Sequence, residues 1–221
     1  VAVNGAIAVT GSTITLNGTA YTSTTDAITL TGNVALGAGA VTTTLTSGAG
    51  AGDNITVTGT INDAGTDTAL TLDAGASGNV DLQGTVGNTG RPAALTVSNS
   101  AITDLNNVQT VGAIAVTAGT RIDLNGTAYN SNDGAITFTG AVDLAGAGTV
   151  TINSDADAAG ADGAISITGA VSDTGTDSAL TVTANTDTVG LANVAVNGAI
   201  AVTGSPITLN GTAYTSTTAA I

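Results

Sequence analysis

Apolar and polar residues alternate along this chain in short runs, and one run keeps returning: apolar, polar, apolar, polar, then often Gly. It reads IAVTG from Ile7, ITLTG from Ile28, ITVTG from Ile55 and VDLQG from Val80. It returns as IAVTA from Ile114, ITFTG from Ile136, ISITG from Ile165 and IAVTG from Ile200. Strict alternation of this kind predicts a β-strand with one buried face. A second alternating piece usually follows, at Ile14, Leu70, Leu95, Ile122, Val150, Leu180 and Ile207. Clusters of Gly, Asn and Asp separate the pieces, as turns require. No helical period is visible, so the chain reads as all-β.

The strands recur at long, regular distances. Residues 194–221 repeat residues 1–28 at a register of 193 (194 − 1), with Pro206 in place of Thr13 and Ala219 in place of Asp26. Between them the chain divides into rungs at approximately 1–26, 27–52, 53–77, 78–107, 108–134, 135–162 and 163–193, and the pattern restarts at 194–221. Seven rungs per 193-residue period gives about 28 residues each. Adjacent rungs are also related: NITVTGTINDAGTDTALTL from Asn54 matches NVDLQGTVGNTGRPAALTV from Asn79 at an offset of 25 (79 − 54).

Rungs of this size with two or three short strands predict a parallel β-solenoid, a β-helix in which equivalent strands stack. An antiparallel sandwich also has short strands and turn signals, but it does not explain one strand sequence recurring at rung distance. The expected inward column is Ile7/Val9, Ile28/Leu30, Ile55/Val57, Val80/Leu82, Ile114/Val116, Ile136/Phe138, Ile165/Ile167 and Ile200/Val202. β-Branched side chains suit such a stacked core. We expect residues 1–221 to form one continuous solenoid segment, a piece of a longer array. Such an array continues head to tail, as one polypeptide or as stacked copies of itself.

Composition narrows the function. The chain has no Lys, Glu, His, Cys, Met or Trp; its 16 acids are all Asp, and its bases are Arg91 and Arg121. A formal net charge of −14 argues against nucleic acid and against a polybasic membrane patch. No apolar run reaches membrane-spanning length, so no membrane insertion is expected. Without His, Cys, Lys or Glu, ordinary bases and nucleophiles are missing, so the chain is not expected to be an enzyme. A polysaccharide-active β-helix is the remaining catalytic class, and it would depend on Asp alone.

Three groups of residues carry candidate binding chemistry. Asp63 and Asp67 flank DAGTD, Asp173 and Asp177 flank DTGTD, and Asp155, Asp157 and Asp162 lie in DADAAGADG. Carboxylates so spaced around Gly can converge on Ca²⁺, which needs six to eight oxygens. The same pattern also makes Asx-turns at solenoid corners. No cofactor is required, and calcium is the one candidate. A Thr column on the outward face, at Thr29/Thr31, Thr56/Thr58 and Thr137/Thr139 with Ser166/Thr168, raises an ice-binding face; Ala8, Asp81, Gln83, Ala115 and Ala201 interrupt it. Tyr21, Tyr129 and Tyr214 share an LNGTAY corner. They either cover that corner with the hydroxyl in water or offer a platform for sugar. Arg91, one rung from Asp63 and Asp67, is placed to approach them. Asn-Gly-Thr at Asn17, Asn125 and Asn210 forms formal glycosylation sequons and equally marks tight turns.

The Gly/Asn/Thr-rich alternation, the ITVTG-type strands and the absence of Cys resemble the stalks of giant bacterial surface proteins. The nearest group is the filamentous haemagglutinin-like adhesins, with autotransporter passengers. That resemblance implies export, a right-handed parallel β-helix and a fibrous role. The expected function is a structural extracellular fibre or adhesin stalk at the cell surface. The alternative is a surface module that binds glycan, receptor or ice through its Thr or Tyr columns.

Overall fold

The computed structural model describes residues 1–39, 41–65, 67–146, 148–158, 160, 162–174, 177–219 and 221. Among these, every regular element is a strand, and every strand pairing is parallel. Each circuit of the chain crosses three faces. The first face is a ten-stranded sheet that starts at Ala2–Val3 and ends at Ile207–Leu209. The second starts in Ile7–Leu16 and ends at Tyr214–Ser216. The third begins in the later halves of Ile7–Leu16 and Ile28–Leu36. It continues through Ile61–Asp63, a single bridge at Val86 and Val108–Thr110, and finishes at Ile200–Thr203. The result is a parallel β-solenoid of about nine turns.

The stacking follows the alternation. Ile28 sits on Ile7, Ile55 on Ile28 and Val80 on Ile55, all in register. The 25-residue offset between Asn54 and Asn79 is kept on two faces, with Ile55 opposite Val80 and Leu70 opposite Leu95. Inward residues form one continuous core: Leu36, Ile55, Leu72, Leu95, Ile114 and Phe138 are completely buried or nearly so. Each contributes on the order of 1.5–3 kcal/mol. The bore is aliphatic except where Tyr129 meets Phe138 edge-to-face, ring centres 6.2 Å apart.

Turn length differs from the expected 28 residues. Only 18 residues separate the stacked Val189 and Ile207 (207 − 189), whereas 30 separate Thr149 and Ala179 (179 − 149). The corner loops absorb the difference. The expected single inward column is therefore three columns. Ile7, Ile28, Ile55 and Val80 line the second face; Ile114, Ile136 and Ile165 line the first; Ile200 lies on the third, on Leu180.

The three copies of the IAVT strand thus occupy three different faces. The same holds for the Tyr strands, Ala20–Ser23 on the first face, Ala128–Ser131 on the third and Tyr214–Ser216 on the second. From the first copy to the last, the chain takes eight steps along the second face and then moves one face on.

Corners between the second and third faces stack Gly on Gly. A Cβ at Gly59 would lie 2.5 Å from both the carbonyl carbon and the oxygen of Gly32, and one at Gly84 would strike Gly59. Successive turns approach too closely there for any side chain.

Candidate functional site

The middle of the second face carries a row of carboxylates. Its outward column reads, turn by turn, Ala8, Thr29, Thr56, Asp81, Asp104, Asp123, Asp143, Ser172, Ala195 and Thr215. Four Asp residues therefore stack in four consecutive turns, spaced about 4.8 Å apart. Like charges at that distance repel, so the ladder persists only with local compensation.

The compensation is specific to each rung. Gln83 Nε2 donates to Asp81 at 2.7 Å. Arg121 grips Asp123 with two guanidinium nitrogens, Nε to Oδ1 and Nη2 to Oδ2, the latter at 2.8 Å. Asp143 accepts from the Thr174 amide at 3.1 Å, the Thr174 hydroxyl and the Ser172 hydroxyl. Asp123 and Asp143 are buried despite their charge. Asp104 has no cation of its own. Burial, then the charge and hydrogen bond of Asp123, then Asp81, push its carboxyl up to about 6. Chemically the row is an acid ladder that holds a proton at Asp104 in mildly acidic water.

The expected calcium ligands are distributed over several corners. Asp63 Oδ2 accepts from the Gly65 amide at 2.8 Å and the Asp67 amide at 3.1 Å, and its Oδ1 accepts from Thr68 at 3.1 Å. Asp67 itself adopts a left-handed φ of 53°. Asp173 closes its loop in the same way, accepting from the Ser178 amide at 2.8 Å. Asp177 and Asp157 are exposed. Asp155 accepts from Asn185 and Asp162 from the hydroxyl and amide of Thr186, both acceptors reaching the next turn. Those Thr186 bonds hold the Asp162 carboxyl below its ordinary range. Asp155 and Asp162 approach one another. Among the described residues, no three acidic groups converge as a metal cage. The geometry is that of Asx-turns and turn-to-turn staples.

Other expected positions are corrected. Arg91 donates to Gln109 at 3.0 Å and to Asn132. Tyr129 is fully buried. Its hydroxyl donates to the Leu105 carbonyl at 2.9 Å and accepts from the Gly126 amide at 3.0 Å, and burial raises its pKa. It meets neither water nor sugar. Tyr214 repeats both bonds, with Leu191 and Gly211. The Thr column is split, Thr29 and Thr56 on the second face and Thr137 and Ser166 on the first. Asn side chains knit turns together: Asn107 Oδ1 accepts from the Thr127 and Ala128 amides, and Asn193 Oδ1 from Thr212 and Ala213.

The acid ladder was hidden in the sequence because its members are unevenly spaced: 23 residues (104 − 81), 19 (123 − 104) and 20 (143 − 123). Only the paired strands reveal it.

A hollow of about 260 Å³ opens beside the last strands, lined by Leu191, Ile200, Val202, Ile207, Leu209, Tyr214 and Ile221. Val1, Val3 and Val9 are exposed at the opposite end.

No family model matches the chain, and neither a curated protein nor a solved structure matches it.

Proposed function

We propose that this chain is a segment of a structural rod, a fibre or adhesin stalk displayed outside the cell. One observation carries the reading: three parallel sheets run unbroken from one end of the molecule to the other, around a single aliphatic core. Nine steps along the first face at about 4.8 Å make a shaft about 43 Å long. Side chains in each turn close their bonds on the turn below, so stretching the axis breaks many bonds together. The Asp-rich surface keeps such a shaft soluble. Burial of Tyr129 and the division of the Thr column between faces favour a passive shaft over a sugar- or ice-binding face.

Single-molecule pulling along the axis tests the proposal. A rod of this build resists extension and then releases turn by turn. Extension at negligible force would refute a load-bearing role. Surface labelling of intact source cells tests the location, and label confined to the cytosol would refute it.

A further inference from the structure

We propose that the Tyr of the LNGTAY corner is a chemical lock: by holding the glycine amide, its phenol keeps the adjoining Asn from closing into a succinimide and turning into Asp or isoaspartate. The inference concerns the chemistry of the corner itself and stands independently of what the rod is for or where it is displayed.

The hazard lies in the Asn-Gly pair. Glycine has no Cβ to bar the approach of its own nitrogen to the Asn side chain, so the ring closes more readily there than before any other residue. The Gly nitrogen gives its proton to solvent and bonds to the Asn Cγ. The Cγ–Nδ2 bond breaks and ammonia leaves. Water then opens the ring at either carbonyl, giving Asp or isoaspartate with no oxidant or reductant involved.

The fold explains why the pair is kept. A Cβ at Gly126 would lie 2.4 Å from Asn107 Oδ1 and 2.5 Å from the Asn107 nitrogen; one at Gly211 would lie 2.3 Å and 2.5 Å from the same atoms of Asn193. Those Asn side chains cannot yield, because each accepts from the two amides that follow the glycine. No larger residue fits, so the corner must keep the vulnerable pair intact by other means. Asn125 is exposed to water, whereas Gly126 is buried.

The phenol supplies the means. Gly18 donates to the Tyr21 hydroxyl at 2.9 Å, Gly126 to Tyr129 at 3.0 Å and Gly211 to Tyr214 at 2.8 Å. The three corners join three different faces and differ in burial, yet the bond to the attacking nitrogen is the same in each. Tyr129 and Tyr214 commit their own protons to the Leu105 and Leu191 carbonyls, both at 2.9 Å, which turns an oxygen lone pair toward the glycine amide. Burial raises the Tyr129 pKa, so the hydroxyl stays neutral and does not take the amide proton as a phenolate would. Ring closure then requires the amide to leave its acceptor and meet water, which is a local opening of the corner.

Failure of the lock would damage the shaft. Isoaspartate lengthens the backbone at a corner whose amides are stapled to the turn below. Conversion of Asn125 to Asp would also replace a hydrogen-bonding partner of Asp104 by another carboxylate beside the acid ladder.

The repeated hexapeptide provides its own controls. The folded 221-residue chain is held at mildly alkaline pH, and conversion of each Asn is read by peptide mass spectrometry with enzymatic methylation of isoaspartate. Asn125 of the wild type should convert about tenfold or more slowly than in the same chain unfolded in urea. Tyr129→Phe should speed conversion of Asn125 about tenfold or more, while Asn210 keeps its wild-type rate. Asn197 should also be unchanged, since no phenol holds its neighbour Gly198, whose amide donates to the Ser178 carbonyl at 2.9 Å. Tyr214→Phe should transfer the effect to Asn210 and spare Asn125, which reads the lock at a second corner if Tyr129→Phe does not fold. A folded Tyr→Phe variant whose adjoining Asn converts at the wild-type rate overturns the proposal. Acceleration shared by Asn197 also overturns it, by showing that the variant opens the whole fold. A folded wild type that converts Asn125 as fast as the unfolded chain overturns it as well.

Discussion

Replacing Asp104 by Asn should stabilise the protein at neutral pH and leave it almost unchanged in acid. In the folded chain Asp104 lies between Asp81 and Asp123 on the second face. Arg121 is committed to Asp123, and Asn125 bonds the Asp104 carboxyl. Burial and the two neighbouring acids raise its pKa from 3.8 to about 6. The folded state therefore binds this proton more tightly than the unfolded chain does. Its stabilising effect is complete below about pH 4 and is lost as pH rises through about 6. Full conversion of that rise would amount to about 3 kcal/mol. Asp104 is only half-buried, and solvent screening reduces the figure to about 1–2 kcal/mol. Asn keeps the shape and hydrogen bonding of the protonated acid without the charge. Urea unfolding of both proteins between about pH 4 and pH 8 reads the effect as the difference between the two stability curves. The stability difference, variant minus wild type, should rise from near zero to about 1–2 kcal/mol between about pH 4 and pH 6, half of it by about pH 5, and stay flat above that. A difference that is flat across this range, or one that favours the wild type at high pH, would refute the ladder as an electrostatic unit.

Gly59→Ala should cost about 2–4 kcal/mol in the same assay, because its Cβ would meet the Gly32 backbone at 2.5 Å with no flexible neighbour to yield; an unchanged denaturation midpoint would show that the corners are looser than described. Tyr129→Phe strips the Leu105 carbonyl and the Gly126 amide of a buried partner and should cost about 1–3 kcal/mol, read as a fall in thermal midpoint. Arg121→Gln leaves the buried Asp123 carboxylate without its cation. The loss should be about 1–3 kcal/mol at neutral pH, read as a fall in the thermal midpoint.

The inside and the outside of each strand were legible from alternation alone. Ile28, Ile55 and Val80 stack as the repeating ITLTG, ITVTG and VDLQG runs implied. Which face a strand joins was not legible. All three faces are parallel sheets over the same aliphatic core, so an I-x-V run fits each equally well. Two-residue periodicity identifies the buried side of a strand and is silent on its place around the axis. The loops decide that, and they vary from turn to turn. Dividing the 193-residue period by seven therefore gave too long a rung, and IAVT at Ile7, Ile114 and Ile200 were set in one column although they sit on three sides. The row Asp81, Asp104, Asp123 and Asp143 was missed for the same reason, since register across unequal loops brings it together. For the corner aspartates, sequence supplied two readings of one pattern; Asp63 and Asp173 each close a loop onto an amide five residues ahead, at Thr68 and Ser178.

The one-face displacement between copies has a mechanical consequence. A shaft whose every repeat puts its bulkiest flank on the same side bows toward the opposite side, and the bow accumulates with length. Here Tyr21, Tyr129 and Tyr214, with the loops attached to them, point in three directions. Their bending moments cancel around the axis. A long polymer of this period would run straight and be equally stiff in every plane, much as a laid rope stays true because no strand keeps to one side.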